Sequence, residues 1–277
     1  QSELIPHFWR APTDNDRGNM MHIRTAIWKD IGKELNIKFF QRSLSKNVAK
    51  IKMVANHDPT GSVITIKYNI FGNGLIDIEQ EIVIEKESLP ELPRFGMKMT
   101  LPKDFNKVSW YGRGPHESYW DRKTSAPVKV YSGTVWEQTY PYVRPQETGN
   151  KTDVRWMTLD NGIIGLLAIG QKLFDGSVHQ YPYRDLENIP GDKRHGKLDI
   201  KPKNQVDWLI DYRQTGVGGD NSWGARTHQK YTLDGKSTNY KFHFFKIIFF
   251  EFIYIIRGYK GNQFYISKND SMTANIP

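Results

Sequence analysis

The sequence predicts an all-β fold, a large antiparallel sandwich with one short helix near its amino terminus, on three observations. The first is period-2 alternation. Between Ile76 and Glu85 the isoleucines at 76, 78, 82 and 84 share one face, and Asp77, Glu79, Glu81 and Glu85 the other. Ile64, Ile66, Tyr68 and Ile70 alternate in the same way with Thr65, Lys67 and Asn69, and Phe95, Met97, Met99 and Leu101 with Lys98 and Thr100. Alternation of this kind gives strands with one buried and one wet face, which is the signature of antiparallel sheet. The second observation is a pair of Asn-Gly steps, Asn73-Gly74 and Asn161-Gly162, each between two such runs. A two-residue hairpin turn needs positive φ, which Asn-Gly supplies cheaply. The third is that the strand-like runs follow one another without a long linker, which favours one large sandwich over two domains.

Taken in order, the first element is the helix. Met20, Ile23, Ile27 and Ile31 fall on one helical stripe, with Asp16 or Asn19 able to cap its start and Gly32 to end it. Strands follow at 37–44, 47–56, 64–70, 76–85, 95–101, 128–135, 153–160, 163–170, 173–181, 206–213 and 238–245. Glu187 to Gln205, rich in Gly, Pro and Lys, reads as a long surface loop.

Composition excludes several functions. The 277 residues contain no cysteine, so there is no disulfide framework, thiolate metal site or cysteine nucleophile. No two of the eight histidines have zinc-pair spacing, and no acidic loop has calcium-hand spacing, so no metal site is expected. Nucleophile-elbow, phosphate-loop and dinucleotide motifs are absent as well. The longest apolar stretch, Phe242 to Ile256, is interrupted by His243, Lys246 and Glu251, so no membrane partner is expected. The net charge of +9 gathers most densely at Lys193-Arg194-His195-Gly196-Lys197. That stretch lacks interleaved aromatics and reads as solvated loop, with no nucleic-acid partner. The 14 Phe, 14 Tyr and 8 Trp are read mostly as core. A start on Gln1, without a signal-peptide pattern, reads as a piece of a longer protein. Compartment stays open between cytoplasm and periplasm.

Function is sought in four polar and aromatic clusters read as loops: Phe8 to Asp16, Trp110 to Tyr119, Tyr140 to Gly149 and Gly218 to Gly224. Carboxylates, amides, arginine and an exposed indole suit a sugar, whose hydroxyls want polar partners and whose C–H face wants an aromatic plane. The plainer alternative is that these residues hold long loops together.

Those clusters, in that order, resemble the C-terminal β-sandwich of the bacterial β-galactosidases of glycoside hydrolase family 2. The family's Arg-Ala-Pro-x-Asp-Asn-Asp is matched by Arg10 to Asp16, its Gly-x-Gly-Pro-x-Glu by Gly112 to Glu117, and its Asp-Arg by Asp121-Arg122. Its Pro-Tyr-Val-x-Pro-x-Glu-x-Gly is matched by Pro141 to Gly149, and its Gly-Gly-Asp-x-Ser-Trp by Gly218 to Trp223. The resemblance covers residues 1–245 and implies a supersandwich like that of the galactose mutarotases. It leaves 246–277 as an unmatched tail, read either as frameshift or read-through sequence or as an extra strand, with Phe249 to Ile256 expected to be buried. The resemblance also implies that the parent enzyme hydrolyses terminal β-galactosides such as lactose with retention, and that it is a homo-oligomer. Its two catalytic glutamates and a Mg²⁺ lie in a preceding (β/α)₈ barrel. This chain therefore has no catalytic residue or cofactor of its own, is expected to be inactive alone, and has that barrel as its partner. Its implied substrate-binding residues are Trp223, with Asp220 and Asn221 in the same loop, although Asp220, Asn221 and Ser222 are expected to shape the loop more than to touch sugar. Two readings compete: a carbohydrate-binding module, and a stand-alone aldose 1-epimerase with His116, Glu117, Glu147 and His179 as candidate acid and base.

Overall fold

The computed structural model describes residues 3–187, 191, 193–221 and 223–248, together with 254–260, 263–268 and 273–275. Twelve strands form one antiparallel sheet: β1 (Ile5–His7), β2 (Leu35–Ser45), β3 (Val48–His57), β4 (Ser62–Phe71), β5 (Ile76–Val83), β6 (Arg94–Pro102), β7 (Lys107–Arg113), β8 (Val128–Thr134), β9 (Lys151–Asp160), β10 (Ile164–His179), β11 (Gln205–Gln214) and β12 (Thr238–Ile248). The main path runs β1-β6-β11-β10-β12-β5-β4-β3-β2, and β9, β7 and β8 branch from β10. The all-β antiparallel expectation is met.

Strand β10 explains how one sheet replaces two separate layers. Its first half, through Gly170, pairs with β12 on one edge and β9 on the other, and Asp175–His179 pairs with β11 instead of β12. A register shift between Ile169 and Phe174 marks the change of partner. At the bend a Cβ on Gly170 would stand 2.2 Å from the Lys172 carbonyl oxygen, so only glycine fits. The sequence places two strands here, 163–170 and 173–181; the structure runs them into one bent strand.

Alternation delivers the core. Ile64 and Ile66 of β4, Ile78 and Ile82 of β5, Phe95 and Met97 of β6, and Phe242 and Phe244 of β12 are buried together with Trp28, Trp110 and Trp208. Truncating one of these indoles to alanine is expected to cost about 3–5 kcal/mol. Strand β7 was not expected, because Trp110 to Arg113 reads as the start of a loop cluster. Val108, Trp110 and Gly112 are the buried positions of a strand that pairs with β8 and β9.

The single helix is corrected in detail. Two short helices occur, α1 (Asp14–Gly18) and α2 (Met21–Arg24), followed by a 3-10 turn at Ala26–Trp28. Met20 takes φ 61°, which breaks the helix. Met20 and Ile23 are exposed and Met21 and Trp28 are buried instead, while Ile31 is buried as the stripe predicts. The cap is Thr13, not Asp16 or Asn19: its hydroxyl accepts from Asp16 N while Asp16 Oδ2 accepts from Thr13 N. The loop expected over 187–205 contains a further short helix, α3 (Gly196–Asp199). In the tail, β13 (Tyr254–Lys260), β14 (Gln263–Lys268) and β15 (Thr273–Asn275) form a separate antiparallel sheet. The expected burial of Phe249 to Ile256 concerns side chains outside the described residues.

Candidate functional site

The four clusters meet in space. Arg10, fully buried, anchors the first to the last. Its Nε and Nη2 donate to the two Asp16 oxygens at 2.9 and 2.7 Å, while Nη1 donates to the Thr215 carbonyl and Nη2 to that of Gly216 at 2.9 Å. Burial works against the Arg10 charge, but Asp16 holds its pKa above the ordinary guanidinium value. Asp16 therefore serves both the cap of α1 and the guanidinium.

The segment after β11 is pinned at both edges. Asp121 accepts from Val217 N at 3.0 Å and Gly218 N at 2.7 Å, and Asn15 Nδ2 donates to the Val217 carbonyl at 3.1 Å. The Thr227 hydroxyl lies 2.9 Å from both the Gly216 and Gly218 carbonyls, fastening the return limb. A Cβ on Gly216 would stand 2.6 Å from Asp121 Cγ, and one on Gly219 2.6 Å from the Ala225 carbonyl oxygen. Glycine at 216 permits close approach to the Asp121 anchor, and glycine at 219 lets the return limb pack against the motif.

Beyond these anchors the loop carries Trp223, which is 93% exposed. Trp223 is therefore not among the aromatic residues that fill the core. Asn221 Oδ1 accepts from Trp223 N at 2.8 Å, closing a local turn beneath the indole. Asp220 Oδ1 lies 2.7 Å from His228 Nε2. In this structure Asp220 and Asn221 shape the loop, and Trp223 is the large side chain it presents.

The second and third clusters join around Glu117. Its Oε1 accepts from Arg122 Nη2 at 2.6 Å and from the Tyr142 hydroxyl, and its Oε2 accepts from Gly149 N at 2.8 Å and Thr148 Oγ1 at 3.2 Å. Behind it Glu147, fully buried, accepts from the Tyr183 hydroxyl and from Gln214 Nε2 at 3.3 Å, with Arg94 Nη2 at 3.5 Å.

Arg94 leads to a buried charge cluster that the sequence reading missed. Asp211 Oδ2 lies 3.0 Å from Arg94 Nε, and Asp175 stands directly opposite Asp211 across the β10–β11 pair. All three are buried. Burial pushes the Asp175 carboxyl up to about 7 and the Asp211 carboxyl upward as well, the latter despite Arg94. His179 is held neutral by burial and by Arg94 and Lys98, its pKa lowered to about 3. The signal was present: Asp211 follows Trp208-Leu209-Ile210, a charge within a run buried on both faces.

The contacts occupy or enclose three of the four epimerase candidates. Glu117 is engaged by Arg122 and Tyr142, Glu147 by Tyr183 and Gln214, and His179 is enclosed beside Tyr181 and Tyr183, while His116 lies exposed 3.2 Å from Ser125 Oγ. Among the described residues no three His, Asp or Glu side chains gather as a metal site. No helix of the described residues is long and apolar enough to cross a membrane.

Fold and site together define an all-β domain that presents one rigidly mounted loop. The beta-galactosidase small chain family model matches residues 1–245. The chain belongs to that family. It is 38% identical over 235 residues to a beta-galactosidase of Priestia megaterium, covering 84% of this chain, and 33% identical over 234 residues to one of Lactobacillus delbrueckii subsp. bulgaricus, covering 83%. In both cases it spans only 22% of the relative's length. It therefore corresponds to one domain of a larger beta-galactosidase. Similar solved structures include the GH36 alpha-galactosidase AgaA of Geobacillus stearothermophilus, with TM-score 0.41 and 9% identity over 77% of this chain and 28% of that one. A galactose 1-epimerase of Lactobacillus acidophilus has TM-score 0.41 and 7% identity over 77% of this chain and 66% of that one.

Proposed function

We propose that this domain completes the sugar site of a β-galactosidase by holding Trp223 against the substrate, while hydrolysis takes place on another domain of the same enzyme. The observation that carries this reading is a fully presented indole on a loop whose base is fixed by buried charge. An indole exposed to this extent gains nothing in the isolated domain, and stacking on a sugar C–H face gives it a use. The anchors at Arg10, Asp121 and Thr227 favour a preset position, so that little ordering entropy is lost when sugar arrives.

Trp223 supplies no proton and no nucleophile. It orients the sugar and shields it from water, and the paired carboxyl groups that retaining hydrolysis requires belong to the partner domain. The test is Trp223→Ala in the full-length enzyme with a β-galactoside. The expected result is a loss in kcat/KM of roughly tenfold or more, partly restored in Trp223→Phe. Unchanged kcat and KM would remove Trp223 from the site.

A further inference from the structure

A cavity of about 120 Å³ lies where the first three clusters meet Val217, the residue that leads into the fourth, and is lined among others by Asn15, Tyr119, Arg122, Tyr142, Gln146 and Glu147. One wall is unusual. Tyr119 is 1% exposed, and its hydroxyl has no hydrogen-bond partner among the described residues. A buried hydroxyl left unsatisfied is costly, so a group that bonds it belongs in the cavity. Arg122 stacks over the Tyr119 ring at 5.1 Å and directs only Nη2 to Glu117 and Tyr142, leaving Nε and Nη1 without hydrogen-bond partners among the described residues.

Charge identifies the class of ligand. Each carboxylate at the cavity already has a cation: Glu147 has Arg94 at 3.5 Å, Asp14 has Arg144 at 3.8 Å, and Glu117, just behind the wall, has Arg122 at 2.6 Å. The cavity is therefore close to neutral, which disfavours both an anion and a metal ion. What it offers is guanidinium N–H donors beside a phenol that both donates and accepts, the complement of vicinal hydroxyls. The Tyr142 ring suits the C–H groups between those hydroxyls.

We propose that this cavity is a second saccharide subsite, taking one hydroxyl-bearing edge of a sugar or a small polyol through Tyr119 and Arg122. It is separate from the Trp223 subsite and does not depend on it. Its size admits a –CHOH–CH₂OH edge with the remainder of the ring outside, and the half-exposed Arg122 and Tyr142 stand at the mouth.

The test is titration of the 277-residue chain with D-galactose and with glycerol, followed by calorimetry and tyrosine NMR signals. The proposal expects saturable binding in the millimolar range, weakened about fivefold or more in Tyr119→Phe and unchanged in Trp223→Ala. Tyr119→Phe removes an unpartnered hydroxyl, so the fold should be undisturbed, and an unchanged melting temperature verifies this. Binding lost in Trp223→Ala but kept in Tyr119→Phe overturns this subsite and leaves the Trp223 reading standing. Absence of saturable binding up to about 100 mM, or equal binding by Tyr119→Phe, means that the cavity holds only water and also overturns the proposal.

Discussion

Asp175→Asn should stabilise this protein by about 4 kcal/mol at pH 8 and by less than half of that, about 1.6 kcal/mol, at pH 5. Asp175 lies on β10 directly opposite Asp211, both are buried, and the Arg94 guanidinium is 3.0 Å from Asp211. The hydrogen bond to Asp175 is from the Gln214 backbone N–H at 3.3 Å, with Arg213 acting at longer range. Burial, the largest influence, lifts its pKa from 3.8 to about 7. The sign follows from linkage. Below pH 4 the carboxyl is neutral in both states. Between pH 4 and 7 it ionises in the unfolded chain and stays protonated in the fold, so stability falls as pH rises and levels off above 7. A difference of about three pH units corresponds to about 4 kcal/mol of lost stability at pH 8. For a chain of this length that is roughly 7 °C in melting temperature. The wild-type profile alone does not isolate the effect, because His7 and His179 are buried neutral and act in the opposite direction, favouring the fold as pH rises. The comparison is therefore variant against wild type by urea denaturation at pH 5, 6.5 and 8. Asparagine keeps the shape and cannot ionise, so the difference between the two proteins should grow with pH. A difference that stays constant from pH 5 to 8 would refute a protonated Asp175.

Two further outcomes test the frame around the site. Arg10→Ala leaves Asp16 buried without its cation and frees the Thr215 and Gly216 carbonyls; it should lower stability by about 3–5 kcal/mol in denaturant unfolding and loosen the Trp223 loop, read as faster amide exchange at Val217 and Gly218. Gly96→Ala places a Cβ 1.8 Å from Asp211 Oδ1, where β6 and β11 pair, and should fail to fold or lose more than about 3 kcal/mol, whereas Gly74→Ala, with open space but φ +87°, should cost about 1 kcal/mol.

Sequence legibility followed the range over which each feature is encoded. Strands with one wet face announce themselves, as Ile76 to Val83 does, because the alternation is local. Strand β7 was hidden because Trp110-Tyr111-Gly112 mixes large and small residues in a segment that also carries motif glycines. The helix was misread because a 3.6-residue stripe says nothing about a left-handed residue such as Met20 inside it. The site divides in the same way. The loop that carries Trp223 was expected from the Gly218 to Gly224 cluster, and the turn made by Asn221 is local. The anchor is not, since Arg10 reaches Thr215 and Gly216 across more than 200 residues. The pairing of Asp175 with Asp211 was illegible for the same reason: Asp211 stands out as a charge after an apolar run, but only the register sets Asp175 against it.

The buried charges also bear on what the domain is built to do. A buried ion pair recovers little more than its desolvation cost, and a well-packed apolar pair of the same volume often serves stability as well. Stability alone therefore does not account for Arg10–Asp16, which a hydrophobic pair could replace in the core. What a hydrophobic pair could not do is donate to two consecutive carbonyls, Thr215 and Gly216, while also capping α1. Those bonds fix the direction in which the chain leaves β11, and with Asp121 and Thr227 they set the base of the loop within hydrogen-bond tolerance. The loop then displays an indole to solvent, an arrangement that lowers no free energy within this domain. A rigid mount beneath an unused aromatic surface is consistent with a partner outside the chain. The motif Gly218 to Trp223 is best understood with the Arg10 to Asp16 motif as a single device, separated in sequence and joined in the fold.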